Sequence, residues 1–92
     1  MKGKYVVVRT YSAGVHVGTL VSMKGREVML KGARRIWSWT GAFTLSELSQ
    51  RGISSGRVSC AVPTIVLTEA IEVIPCSAIA KKSLTAIKAH TI

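Results

Sequence analysis

Eight side chains in this sequence combine charge, aromatic faces and hydrogen-bonding groups in a way that suits a phosphate-bearing ring. Five of them fall in one run, Arg34-Arg35-Ile36-Trp37-Ser38-Trp39-Thr40-Gly41, as Arg34, Arg35, Trp37, Trp39 and Thr40. In an extended backbone side chains alternate, so Arg35, Trp37 and Trp39 are expected on one side and Arg34, Ile36 and Ser38 on the other. An indole on an open surface can stack on a purine or pyrimidine for about 1–3 kcal/mol while a guanidinium forks onto phosphate oxygens. The competing use is structural: both tryptophans could form core in a chain with only five aromatic residues, leaving the arginines to water. Arg9, Tyr11 and His16, with Ser12, surround a turn and bring a cation, a phenol and an imidazole to one loop that could grip a ribose phosphate. Lys81, Lys82 and Lys88 could track a nucleic-acid backbone or simply wet a helix face.

Catalysis finds little support in the same residues. The four carboxylates are not paired with one another or with a histidine, apart from Glu69 and Glu72, which flank an apolar stretch. No serine sits in a nucleophile elbow, and no glycine-rich loop has the spacing that cradles phosphates. Cys60 and Cys76 form no CxxC pair and have no histidines at ligand spacing, so neither a zinc site nor a disulfide framework is expected. The expectation is a non-enzymatic binder with no metal and no cofactor.

The elements that must position these groups read as strands followed by short helices. Residues 4–9 are rich in β-branched residues, with Tyr5 and Val6 to Val8, and are ended by the turn-like Ser12-Ala13-Gly14, and residues 15–23 alternate with period two. Lys24-Gly25-Arg26 then turns into a partner strand at 27–31, with a kink expected at Gly32-Ala33 before alternation resumes to Trp39. Thr44-Leu45-Ser46-Glu47 has capping-box spacing, in which Thr44 would accept from the Glu47 amide and Glu47 would reach back to the Thr44 amide. Arg51 and Gly52 close that helix after about two turns. Strands are expected at 57–62, at 64–67 beyond the edge-forcing Pro63, and at 70–74 up to Pro75. Ser77 would cap a helix at 78–89, so that 77–92 is either a closing helix or a loose basic tail. The fold class is mainly β (α+β): a small antiparallel, curled sheet or partly open barrel with one short internal helix and a C-terminal one.

At 92 residues, one domain spanning 1–92 is expected, with a core thin enough that self-association would add burial, so a homo-oligomer is anticipated. Thirteen Lys and Arg against four Asp and Glu give a formal charge of +9, and residues 1–60 hold ten of the bases and two of the acids. Such a field concentrates phosphate-bearing partners, and it also serves solubility. No run approaches the 18 or so apolar residues of a membrane span, and the first residues have too short an apolar stretch for a signal peptide, which leaves the cytoplasm as the expected location. Two cysteines are expected as reduced, buried thiols.

The segments Arg9-Thr10-Tyr11-Ser12-Ala13-Gly14-Val15-His16-Val17-Gly18-Thr19-Leu20, Ala33 to Trp37, Gly41-Ala42 and Leu67 to Cys76 resemble short accessory proteins of tailed bacteriophages, a family of uncharacterised function. The resemblance implies a phage origin and a host-cytoplasm setting, and transfers no catalytic residue. By analogy of class, it points to an anti-defence sponge: a protein that binds an anionic host signalling nucleotide of cyclic dinucleotide or cyclic ADP-ribose type and removes it from use. In that reading Arg34 and Arg35 take phosphates and Trp37 or Trp39 takes a base. The alternatives are a single-stranded DNA or RNA-binding module and an inhibitor that binds a host protein.

Overall fold

A computed structural model describes residues 2–89. Its elements run β1 (Tyr5–Thr10), β2 (Val15–Lys24), β3 (Glu27–Thr40), α1 (Leu45–Arg51), β4 (Ser55–Val58), β5 (Val62–Leu67), β6 (Ala70–Pro75) and α2 (Ala78–Ala86). All pairings are antiparallel, in the order β4-β3-β2-β1-β6, with β5 also on β3. The fold is thus mainly β, a curled half-barrel with two short helices.

The curl follows from the connections. β5 and β6 are separated by two residues in sequence, yet one pairs with β3 and the other with β1, at opposite ends of the sheet. The corner between them is pinned by the Ala70 amide donating to the Arg26 carbonyl and the Tyr11 amide donating to the Glu69 carbonyl. Pro63 lies in β5, whose other edge is unpaired among the described residues, the setting in which a strand tolerates a residue without an N–H.

Curling makes two cores, one on each side of the sheet. Inside the curl lie Val6, Val8, Leu20, Val28, Leu30, Ala33, Leu67 and Ala70. On the outer side Tyr5, Val7, Val17, Ile36 and Val58 pack under Leu48 of α1, Ile53 and Leu84 of α2. Because β1 feeds both cores alternately, its apolar run is continuous rather than alternating with polar residues.

Residues 27–31 and 34–40 form one strand, not two. Gly32 is absorbed as a bulge: between Val17↔Arg34 and Thr19↔Lys31 the β3 strand advances one residue more than β2, and Gly32 takes φ 59, open to glycine without a Cβ clash. The expected strand at 57–62 is divided. Ser55–Val58 pairs with the C-terminal half of β3 and Val62–Leu67 with the N-terminal half. At the break Ser59 bridges, its amide donating to the Arg35 carbonyl and its hydroxyl accepting from the Arg35 amide.

The helix caps form with one change of partner. Thr44 Oγ1 accepts from the Glu47 amide at 3.1 Å, but the Glu47 carboxylate accepts from the Phe43 amide, one residue earlier than expected. Ser77 Oγ accepts from the Ala80 amide and donates to the Gln50 carbonyl, so one residue caps α2 and ties it to the end of α1. α2 ends at Ala86, short of residue 89; the remainder of the expected basic tail, 90–92, lies outside the described residues. Cys76 is part-buried, whereas Cys60 is exposed rather than buried. Among the described residues no helix is long and apolar enough to cross a membrane.

Candidate ligand site

The arginine–tryptophan run is broken by a second bulge, and this rearranges the side chains expected to act together. Ile36 pairs with Val58 and Ser38 with Arg57, so β3 carries one residue, Trp37, that β4 does not match. The alternation slips there. Ile36 lies in the core beneath the helices, and Trp39 packs against that same core, although the two are an odd number of residues apart. Trp37 is about half exposed at the bulge, so the two indoles do not continue one another along a single face.

Arg34 faces inward. Its Nε donates to the Ser59 carbonyl at 2.9 Å, one Nη to the Leu84 carbonyl at 2.8 Å and the other to the Ile87 carbonyl at 2.6 Å. Leu84 and Ile87 stand at the C-terminal end of α2, where carbonyls lack intrahelical partners and the helix dipole favours a cation. The guanidinium expected to grip phosphate is therefore first a helix-end clamp, buried among carbonyls from residues far away in sequence.

Arg35 points away from that core. It shares a hollow of about 190 Å³ with His16, its register partner on β2, and with Ala33, Ser59, Val62 and Ile65. His16 is buried rather than solvated. Its Nε2–H donates to the Ala13 carbonyl at 2.9 Å. Burial depresses its pKa below the usual 6.5, opposed by the Ala13 carbonyl and reinforced by the Arg35 charge. A histidine held neutral in the fold takes up fewer protons than the same residue unfolded. Its contribution to stability is therefore whole above about pH 6.5 and is lost as pH falls below that value toward the depressed native pKa. Chemical denaturation between pH 7.5 and 5 should show stability falling with acidification, and His16→Gln should flatten that decline; an unchanged slope would place the titrating group elsewhere.

Trp39 and Thr40 find a different cation. With Ser38, Ser55, Gly56 and Arg57 they line a hollow of about 350 Å³ where β3 ends and β4 begins. The Trp39 indole N–H donates to the Ala42 carbonyl at 3.1 Å, which fixes the ring. Thr40 Oγ1 lies 2.7 Å from Ser55 Oγ and 3.2 Å from Ser54 Oγ, giving an orienting set of hydroxyls. Gly56 permits this arrangement sterically: a Cβ there would lie 2.6 Å from the Ser38 carbonyl oxygen. Arg57 is exposed, and among the described residues the one ion pair is Arg51 with Glu47 at 3.7 Å, so the Arg57 guanidinium is not committed to a carboxylate. An indole, a guanidinium and hydroxyls within one hollow can stack a ring, fork onto a phosphate and hydrogen-bond a sugar.

Arg57 was invisible as a site residue because it stands eighteen positions from Trp39 and joins it only through the β3–β4 register. Arg9, in β1 next to its end, and Tyr11, on the β1–β2 turn, are both exposed, with Arg9 opposite Glu72 in the β1–β6 ladder and Ser12 donating to Glu69. They line neither hollow. The eight expected residues thus separate into Trp39 and Thr40 at one hollow, Arg35 and His16 at another, Arg34 in the interior, Trp37 at the bulge, Arg9 in β1 and Tyr11 on the turn.

Residues 3–84 match a protein family described as Domain of unknown function (DUF6948). No curated protein and no solved structure matches the chain.

Proposed function

We propose, for a chain that belongs to this family of unknown function, that it binds a nucleotide without transforming it, with Trp39 stacking the base, Arg57 holding phosphate and the hydroxyls of Thr40 and Ser55 meeting the sugar. The observation that supports this most strongly is that those four residues line one hollow where β3 ends and β4 begins. The formal charge of +9 supports it further, since it draws polyanions toward the whole surface. The biological use we attach to binding is sequestration of a host signalling nucleotide by a phage protein in the cytoplasm. Sequestration works by mass action and demands many tight sites, which a homo-oligomer would supply. Exposed Val62, Val66 and Ile71 on the two open edge strands are the surface that favours association.

Calorimetric titration against cyclic dinucleotides and cyclic ADP-ribose isomers tests this reading, with recovery of the ligand after denaturation. A saturable heat and chemically unaltered ligand are expected. Silence with every nucleotide would remove the proposal.

A second reading, single-stranded nucleic-acid binding, is favoured by the excess of cations: thirteen bases, and a single ion pair among the described residues. Ionic strength separates the two. A strand neutralised at several phosphates should lose affinity steeply as salt rises, roughly as the power 0.7 per phosphate contacted, whereas one nucleotide in a hollow should respond weakly.

A further inference from the structure

The apolar surface inside the curl does not stop where its core is sealed. Ala33 belongs to that core and Ile65 packs against it, and both go on, with Val62, to wall the hollow of about 190 Å³ shared by Arg35 and His16. Val62 is 43% exposed, so part of this aliphatic wall is left in water. β5, which supplies Val62 and Ile65, has no strand on its other side among the described residues. A recess that continues the core of a curled sheet to its open side is a common position for a small-ligand site.

The polar side chains around the recess are few, and all but one are occupied or neutral. Ser59 is fully committed: its hydroxyl accepts from the Arg35 amide and donates to the Cys60 carbonyl, its amide donates to the Arg35 carbonyl, and its own carbonyl accepts from Arg34 Nε. His16 gives its Nε2–H to the Ala13 carbonyl, and burial keeps the ring uncharged at neutral pH. Arg35 is exposed and is not part of the one ion pair among the described residues, Arg51 with Glu47. No carboxylate lines the hollow. The recess therefore offers one unpaired guanidinium beside aliphatic walls, a combination that suits an anion with an apolar body.

We infer that this hollow binds a small aliphatic carboxylate, whose two oxygens accept from the Arg35 guanidinium and whose hydrocarbon body lies against Ala33, Val62 and Ile65. The two halves of the ligand act together. An ion pair with an exposed arginine is weak by itself, and burying a few carbons is weak without a group to orient them. The chemistry differs from that of the Trp39–Arg57 hollow, which lacks aliphatic walls, and either site can fail while the other stands.

Amide and arginine side-chain NMR spectra of the ¹⁵N-labelled full chain, titrated at matched ionic strength with acetate, isovalerate, isoamyl alcohol or inorganic phosphate, test this. Saturable shifts at the Arg35 Nε–H and at the Ala33, Val62 and Ile65 amides are expected with isovalerate. Affinity should rise from acetate to isovalerate by about fourfold for each carbon buried, while the neutral alcohol and phosphate each bind at least about 10-fold more weakly than isovalerate. Arg35→Gln, at an exposed position, should weaken isovalerate binding about 10-fold or more. Val62→Phe, which places a larger side chain at the wall, should block it while leaving Arg35 in place. Absence of saturable shifts with isovalerate would overturn the inference. So would equal affinity for acetate and isovalerate, equal affinity for the acid and the alcohol, or isovalerate binding that survives unchanged in both variants.

Discussion

Arg34→Met is expected to cost about 3–5 kcal/mol, a large part of the stability of a domain this size. Methionine fills a comparable volume but donates nothing, so the carbonyls of Ser59, Leu84 and Ile87 lose their partner together. A buried polar group left unsatisfied costs about 1–3 kcal/mol, and two of these three also lose a cation at a helix C-terminus. Arg34→Lys should recover only part of the loss, because one ammonium cannot reach three carbonyls in a planar fork. Urea denaturation gives the magnitude. Hydrogen exchange gives the location, with amides of the last turn of α2 losing protection first. A loss below about 1 kcal/mol would mean that water replaces the guanidinium readily and that the side chain does not hold the helix.

Gly52→Ala should be comparably damaging for a different reason. Gly52 ends α1 at φ 77 and ψ −158, a region essentially reserved for glycine, where a side chain costs on the order of 1–3 kcal/mol in backbone strain. The space is also occupied: a Cβ would sit 2.4 Å from Ser83 Cβ and 2.5 Å from its Oγ. Ser83 Oγ accepts from the Ile53 amide at 3.0 Å and donates to the Ile53 carbonyl at 2.8 Å, so pushing it aside breaks both bonds that tie α2 to the segment after α1. The expected total is about 3–4 kcal/mol, or a fall in melting temperature of roughly 15–25 °C at this chain length. Adding Ser83→Gly relieves the collision and leaves the strain, so Gly52→Ala/Ser83→Gly should lie closer to Ser83→Gly alone than additivity predicts. Simple additivity would show that the close approach of α1 and α2 is not what requires glycine.

Local chemistry made much of this fold readable from sequence. The β-branched start, the period-two run after Gly14, the Gly25 hairpin, the Thr44 and Ser77 caps and the Gly52 terminator each act within a few residues, and each forms. Pairing between distant segments was not readable. Nothing near Trp37 announces that β4 runs one residue shorter beside it, yet that bulge moves Trp39 off the face expected for it. Nothing near Arg34 announces three carbonyls supplied by residues 59, 84 and 87. Strand alternation is a property of one strand, whereas bulges and buried donors are settled by the neighbours. For the candidate site, the sequence therefore indicated the residue types, an indole with a guanidinium and hydroxyls, whereas the fold puts Arg34 and Arg35 at other hollows than Trp39.

The central claim is that Arg57 and Trp39 form one nucleotide site, and the most direct measurement is the calorimetric titration repeated on Arg57→Gln. Arg57 is exposed on a short strand, so its replacement should leave the fold intact. Loss of one charge-assisted phosphate contact should weaken binding about 10- to 100-fold. Affinity equal to that of the unaltered chain, for a nucleotide that the chain binds, would contradict the account.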